Sequence, residues 1–475
     1  TKAAYEQGRE LVEATIANYY QQHGGYPDKL AFSLWSIEAM RHYGVLESQA
    51  LYAMGARPVW SKDGRVVDTE IIPASELKRP RIDVVLSATG LYRDAFPNVM
   101  LRLAGAIQQL SQLKEEGNSI WENSERIRAE LLAEGHAEDE AEYLSGVRIF
   151  SSMPGNYGSG TGGPVFNSDT WDQDSKISDA YLGRMGFAFG ADSSRWAEES
   201  PHLYAKQLSG TDIAMFSRSS NLYGLLSSDD PFQYFGSLAL AVRNLDGASP
   251  QMMISNLRDV KNARIENAAE FISRELRTRN FNKRWISEMQ KEGYSGAETL
   301  ASQLANFWGW QVVDPNLVKD HQWQEFYEVY VEDKLQLDID EWFEKIQPAA
   351  QARMIEQMLE ANRKQYWQAD AETLKRMIQR YQELVTGYDL FQENSQLNEF
   401  INSKASGFGL QPLPMNADSA MAQSVNQPVE GQKLEKVTAE QNDRSWDEAL
   451  ITALSMTLLL FLVGALRQAT RLQPV

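Results

Sequence analysis

The apolar positions predict alternating strands and helices early in the chain and a mainly helical region after them. Tyr5, Leu11, Ile16 and Tyr20 fall at helical spacing over 5–22, and Gly24, Gly25 and Pro27 end that pattern. Leu30–Trp35 is a short apolar run that reads as a buried strand, and Ile82–Ser87 is a second. Between them lie a helix-like stretch at Ser48–Met54 and apolar segments at Pro58–Trp60 and Val66–Ile72; Pro97–Leu113 reads as a helix. Strands alternating with helices in this way predict a parallel sheet in an open α/β, Rossmann-like domain. Residues 118–145 are charged and helical. Asp212–Phe216 and Gln251–Ser255 read as further strands, with a helix ending near Val242 between them, and 258–279, 296–307 and 320–386 read as helices. The expected divisions are 1–145, an α/β domain with a helical extension; 146–400, a mixed α/β to helical region; 401–445, a linker rich in Gln, Asn, Pro, Ser and Gly; and 446–468, a single transmembrane anchor.

The anchor rests on Ala449–Leu466, eighteen residues without a charge. At 1.5 Å per residue such a run is near the minimum for crossing ~30 Å of hydrocarbon. A buried core helix would show the same run, and the flanks favour the span. Asp443, Arg444, Asp447 and Glu448 precede it, while Arg467 and Arg471 follow with no acid. The positive-inside bias then puts the short tail in the cytoplasm, so the expectation is a single-pass inner-membrane protein with its body facing the periplasm. Thr1 is not an initiator Met and no signal peptide follows, which predicts that the chain continues a longer polypeptide with an N-terminal remainder.

Composition narrows the chemistry. With 65 acidic against 46 basic residues, a net charge of −19 argues against a broad nucleic-acid surface. The absence of Cys excludes thiolate metal sites, Cys nucleophiles, iron–sulfur clusters and disulfides. In open α/β sheets the functional crevice lies beyond the carboxyl ends of the strands. The first strand runs out into Ser36–Glu38 and the second into Ala88–Asp94, so Glu38, Arg93 and Asp94 are candidates for one site. Gly155, Gly158, Gly160, Gly162 and Gly163 crowd one loop, which either brings backbone N–H groups close to a ligand or simply turns tightly. No Gly-Lys-Ser/Thr follows, so no nucleotide site is expected. The five histidines, His23, His42, His136, His202 and His321, show no metal-binding spacing; His42, four residues after Glu38, is the first candidate for chemistry and His321 the second. Asn167–Asp174 lacks the central Gly and terminal Glu of a calcium loop. Asp229 and Asp230 are either paired carboxylates or a helix cap.

A series of collinear segments carries a family likeness: Ala31–Glu38 (AFSLWSIE), Gly55–Trp60, Lys78–Val85, Ser87–Asn98 (SATGLYRDAFPN), Arg148–Gly160 (RIFSSMPGNYGSG), Asp179–Leu182, Phe187–Gly190 and Ser228–Gly236 (SDDPFQYFG). Together they resemble the C-terminal half of the large subunit of cobaltochelatase and magnesium chelatase, the CobN type, over about 1–385. The resemblance implies a tetrapyrrole substrate, a divalent metal ion moved at its centre, and separate ATPase subunits as partners. Carried over by position, it implies Glu38 and Asp94 as catalytic groups and Arg93, Arg148 and Tyr157 as tetrapyrrole-binding; His42 joins the catalytic candidates by its place four residues after Glu38, and the backbone of Gly158 and Gly160 joins the expected pocket lining. It places Glu38, Asp229 and Asp230 on the metal path. The run Ser217–Tyr223 departs from the charged segment of the cobalt-type enzymes, which weighs against cobalt insertion into a corrinoid. The uncharged tail is similar to the membrane-anchored haem-uptake branch, the HmuS type, which implies iron removal from haem. Metal insertion with ATPase partners, and a non-catalytic haem relay to a transporter, are the competing expectations.

Overall fold

The continuous apolar runs form central strands because helices cover both of their faces. A computed structural model describes residues 1–390 and 394–413. Its strands are β1 (Lys29–Leu34), β2 (Ala56–Trp60), β3 (Val66–Ile71), β4 (Asp83–Ala88), β5 (Ile149–Ser151), β6 (Phe187–Ala188), β7 (Glu198–Glu199), β8 (Ile213–Arg218), β9 (Gln251–Asn256) and β10 (Arg264–Asn267). Eight of them form one sheet in the order β10-β9-β8-β1-β4-β5-β6-β7. The five central strands, β9 to β5, are mutually parallel, and the outer pairings are antiparallel. β2 and β3 form a separate antiparallel hairpin.

Alternation along β1 shows how the sheet is covered. Leu30, Phe32 and Leu34 pack into one core with Val12 and Ile16 of α1 (Lys2–His23), which also takes in residues of several further helices. α2 (Ser36–His42) leads directly from β1 into α3 (Val45–Ala53), whose Leu46 and Ala50 join this core. α4 (Ala74–Leu77) is a single turn; α5 (Gly90–Ala95) follows β4, and α6 (Pro97–Ser111) adds Leu103 and Ile107. Ala31 points to the opposite face, where Val85, Phe150 and Phe216 meet Tyr181, Tyr204 and Leu240 of the helices behind the sheet. That second core continues into the helices from Tyr294–Val313 onward. There the fully buried indoles of Trp308 and Trp310 donate to the carbonyl oxygens of Val165 and Leu225, each at 3.0 Å.

The sheet runs across 145/146, because β1 and β4 pair with strands from beyond residue 146. The described residues cluster as one compact unit. Within 258–279 the helix is confined to Ala268–Thr278, where the Asn267 side chain caps it by accepting from Ala269 N at 2.8 Å, and β10 precedes it. The helix Ser395–Gly407 enters the expected linker. The rest of that linker beyond residue 413, and the anchor expected at 446–468, lie outside the described residues. Among the described residues no helix is long and apolar enough to cross a membrane.

Arg148 requires a correction. It precedes β5 and so lies at the amino edge of the sheet, opposite the crevice. Its Nε donates to Asp83 Oδ1 at 2.9 Å and its Nη2 to Ser124 Oγ at 3.0 Å, with both charged side chains fully buried. Lys29, also fully buried, starts β1 and donates from Nζ to the Ser209 carbonyl oxygen at 2.6 Å; burial pushes its amine down to about 8. Arg148 therefore holds the closed amino edge together and is not placed to meet a ligand in the crevice.

Candidate functional site

The carboxyl ends of β8, β1, β4 and β5 open on one edge, and two polar clusters form there. The first is built on Glu38. β1 ends in extended backbone at Trp35 and turns at once into α2, which sets Glu38 in the first helical turn and fully buries it. Arg218, the last residue of the neighbouring β8, points its Nη1 at Glu38 Oε1 at 3.4 Å, and Ser219 Oγ donates to Oε2 at 2.7 Å. Arg41, one turn along α2, stands 3.8 Å from Oε1 with its guanidinium over the Tyr223 ring. Arg218 is itself buried, and desolvation pulls its guanidinium below the ordinary value while Glu38 and Glu275 oppose the shift. Arg218 remains a cation, and the Glu38 side chain sits between two guanidinium groups and a hydroxyl.

The second cluster follows β4 and β5. Thr89 caps α5 through Oγ1, which accepts from Tyr92 N, and α5 carries Arg93 and Asp94. Arg93 is buried; its Nη1 donates to the carbonyl oxygens of Ser152 and Met153 at 2.6 and 3.0 Å, and its Nε donates to Asp94 Oδ1 at 2.8 Å. Tyr157 Oη donates to Asp94 Oδ2 at 2.8 Å. These bonds from Arg93 and Tyr157 hold the Asp94 carboxyl below its ordinary value, so at neutral pH Asp94 is an acceptor that anchors Tyr157 rather than a proton donor. Gly90 allows the loop to come this close, since a Cβ there would stand 2.8 Å from Asn156 O and from the Tyr157 ring. Gly158 and Gly160 adopt φ of +85° and +82°, which lets the loop double back over the edge.

Aromatic residues join the clusters. The segment Phe232–Gly236 winds as a π-helical turn, a form frequent at functional sites, and directs Tyr234 Oη to accept from Gly158 N at 2.8 Å. The Tyr234 ring meets Trp35 edge-on at 5.8 Å, and the Arg218 guanidinium lies 5.5 Å from the Trp35 ring. Contacts thus run from Glu38 through Arg218, Trp35 and Tyr234 to the glycine loop and Asp94. Around them, Ile37, Leu91, Met153, Tyr157, Leu222 and Tyr223 are exposed on the segments that follow these same strands. Leu222 is 79% exposed because its loop is fixed from behind: Glu275 accepts from Leu225 N at 2.7 Å and Arg279 donates to Asn221 O at 2.9 Å. Large apolar side chains held out at the rim of a polar crevice are the signature of a surface that receives an apolar partner or ligand.

Other expected site residues are placed differently. His42 is buried, and its Nδ1 accepts from Gly44 N and Val45 N at 3.2 and 3.0 Å, which caps α3; Nε2 therefore carries the proton and donates to Ser217 Oγ at 3.2 Å. Burial pushes this imidazole down to about 4, so His42 is neutral near pH 7. The unfolded chain takes up this proton near pH 6.5, so the contribution is fully present above that pH. It is lost as pH falls toward 4, a drop of about 3 kcal/mol. Urea unfolding of His42→Gln is expected to lack this part of the acid slope; parallel profiles for variant and wild type between pH 6.5 and 4 would exclude the capping assignment. Asp229 Oδ2 accepts from Gln233 Nε2 at 2.5 Å, and Asp230 has its carboxyl pushed up by crowding protein and by the neighbouring Asp229 charge. Glu38, Asp229 and Asp230 do not assemble into a metal cage: among the described residues no group of three or more His, Asp or Glu side chains does. Arg218 and Ser219 were not expected at the site, although the strand-end rule applied to β8 points to both.

The profile of the CobN/Magnesium Chelatase family matches residues 1–374. The aerobic cobaltochelatase subunit CobN of Pseudomonas aeruginosa is 32% identical over 373 residues, covering 78% of this chain and 29% of that protein. A magnesium-chelatase subunit of Cereibacter sphaeroides is 30% identical over 352 residues, covering 74% of this chain and 28% of that protein. The catalytic subunit of cobaltochelatase from Mycobacterium tuberculosis superposes with a TM-score of 0.75 at 29% identity, over 81% of this chain and 32% of that one. The chain spans less than a third of the length of each of these relatives. The match takes in the whole eight-stranded sheet and both polar clusters at its carboxyl edge, and on it the chain belongs to the CobN/magnesium chelatase family.

Proposed function

We propose that this chain carries the metal-exchange site of a tetrapyrrole chelatase, with Glu38 as the proton-transfer group. The observation that carries this reading is a fully buried carboxylate, held by Arg218 and Ser219 at the carboxyl edge beneath an exposed apolar rim. Exchange of a divalent metal at a macrocycle is balanced by two protons: insertion releases two from pyrrole nitrogens, and removal requires two to enter. A carboxylate fixed beside the ring can take or return them one at a time. Arg41, a third exposed and lying over Tyr223, covers Glu38 and would have to swing aside to admit substrate. Arg93 keeps a buried Nη2 without a partner, the donor that a carboxylate at the macrocycle's periphery would take.

The direction proposed is removal of iron from haem, by a body anchored at the inner membrane through 449–466 and facing the periplasm. The uncharged run and the Ser217–Tyr223 segment support it. Insertion of cobalt or magnesium with ATPase partners is the second reading, favoured by the names of the cobaltochelatase and magnesium-chelatase relatives. Incubating the purified full-length protein anaerobically with haem and reductant, without ATP, decides between them. Release of metal-free porphyrin is expected. Haem left intact, with cobalt or magnesium inserted only when an ATPase subunit is added, would establish insertion instead.

A further inference from the structure

Arg218 has a second acidic neighbour besides Glu38, the buried Glu275 of the helix Ala268–Thr278. Glu275 Oε2 accepts from Leu225 N at 2.7 Å, and Oε1 accepts from Leu226 N at 3.3 Å and from Arg279 Nη1 at 3.2 Å. Burial pushes this carboxyl up, while Arg279, the two backbone donors and Arg218 work against the rise. Gly224, next to Leu225, has the Glu275 carboxyl group where a side chain would stand: a Cβ there would collide with both of its oxygens. The carbonyl oxygen of the same Gly224 accepts from Arg218 Nη2 at 2.8 Å. One backbone residue therefore touches both groups, and the loop from Ser219 to Gly224 closes between them. The segment after it is also held from the other side, since Leu225 O and Leu226 O accept from Trp310 Nε1 and Asn306 Nδ2, each at 3.0 Å.

A buried guanidinium keeps its charge and needs a counter-charge at every stage of a reaction. A proton-transfer group cannot supply one throughout, because Glu38 carrying a proton no longer offsets Arg218. We infer that Glu275 is a positioning residue of the metal-exchange site: it is the constant counter-charge that keeps Arg218, and with it Ser219, in place while Glu38 gains and loses protons. The inference rests on the proposed role of Glu38 and adds the group that lets that role repeat. Glu275 acts through Arg218 and Gly224 from behind the loop, so a porphyrin seated on the apolar rim has no need to touch it.

Metal exchange by the full-length protein tests this, as iron release from haem under reductant or as cobalt insertion with an ATPase subunit, with Glu38→Gln run alongside. Glu275→Gln keeps the size of the side chain and an acceptor for Leu225 N but removes the charge. It is expected to slow exchange per bound porphyrin about tenfold and to change porphyrin affinity less than about threefold. Glu275→Asp keeps the charge and gives up reach and hydrogen bonds; it is expected to be the faster of the two variants while no more stable to urea. A group that only held the loop would rank them the other way. Gly224→Ala alters no charged group and needs no left-handed backbone, but its methyl displaces the Glu275 carboxyl group, so a rate loss of the same order is expected. It carries the test if Glu275→Gln does not fold. With Glu38→Gln slow, any of three results would overturn the inference alone: a wild-type rate in Glu275→Gln or Gly224→Ala, a Gln variant as fast as the Asp one, or affinity lost in proportion to rate. Glu38→Gln at the wild-type rate, or a wild type with exchange in neither direction, would overturn the reading of Glu38 and this inference with it.

Discussion

Replacing Asp83 by Asn is expected to lower the unfolding free energy by about 3–5 kcal/mol, the cost of stranding a buried charge. Asp83 is fully buried between Arg148, whose Nε reaches it at 2.9 Å, and the buried Lys29, while Asn123 Nδ2 donates to its Oδ2 at 3.1 Å. The two cations do not lose equally. Lys29 can shed its proton, since burial already brings its amine down to about 8, whereas a guanidinium cannot. The penalty therefore falls on Arg148, which keeps its bonds to Ser124 Oγ and to neighbouring carbonyl oxygens but no counter-charge. Urea unfolding at pH 7 reads it directly. Combining Asp83→Leu with Arg148→Met should recover much of the loss, because an apolar pair of similar size can replace a buried ion pair. A loss below about 1 kcal/mol for Asp83→Asn would show that water reaches Arg148 and that the amino edge is not closed.

The same residues show what the sequence could and could not tell. β1, β4, β8 and β9 were legible because each is a continuous apolar run, and the strand-end rule then led to Glu38, Arg93 and Asp94 at one edge. β5, β6 and β7 have three, two and two residues, too few for any periodicity to show. Without β5 as a strand, nothing in the sequence marked Arg148 as standing before a strand rather than after one, and so at the wrong edge for a ligand. Arg218 was missed for a different reason. β8 continues to Arg218 and not to Phe216, because Phe216 and Arg218 extend the register against Ile254 and Asn256 of β9, a pairing that exists only in the folded sheet. His42 stands near Glu38 in sequence, but its ring turns to the backbone of α3, and only the turn through Tyr43 and Gly44, both at positive φ, makes that reach possible.

Glu38→Gln is expected to slow metal exchange at a porphyrin by about 100-fold or more, in the range lost when a positioned acid–base group is removed. Porphyrin affinity should change by less than about threefold, because the substitution keeps the size of the side chain and leaves the apolar rim and Arg93 untouched. An amide can still accept from Ser219 Oγ, but it neither takes a proton nor delivers one. The substitution also removes a charge from beside the buried Arg218, whose remaining acidic neighbour is Glu275. Some loss of stability is therefore expected, and exchange must be measured per bound porphyrin on protein shown to be folded by its unfolding curve. Ser219→Ala separates the two effects: it leaves the carboxylate and its Arg218 partner in place and removes only the 2.7 Å bond to Oε2. A group that merely holds the loop after β8 would make Ser219→Ala and Glu38→Gln fail alike, in stability and in binding together. A proton-transfer group predicts that Ser219→Ala retains most of the exchange rate while Glu38→Gln loses it. Loss of porphyrin binding in proportion to rate would sink the assignment of Glu38.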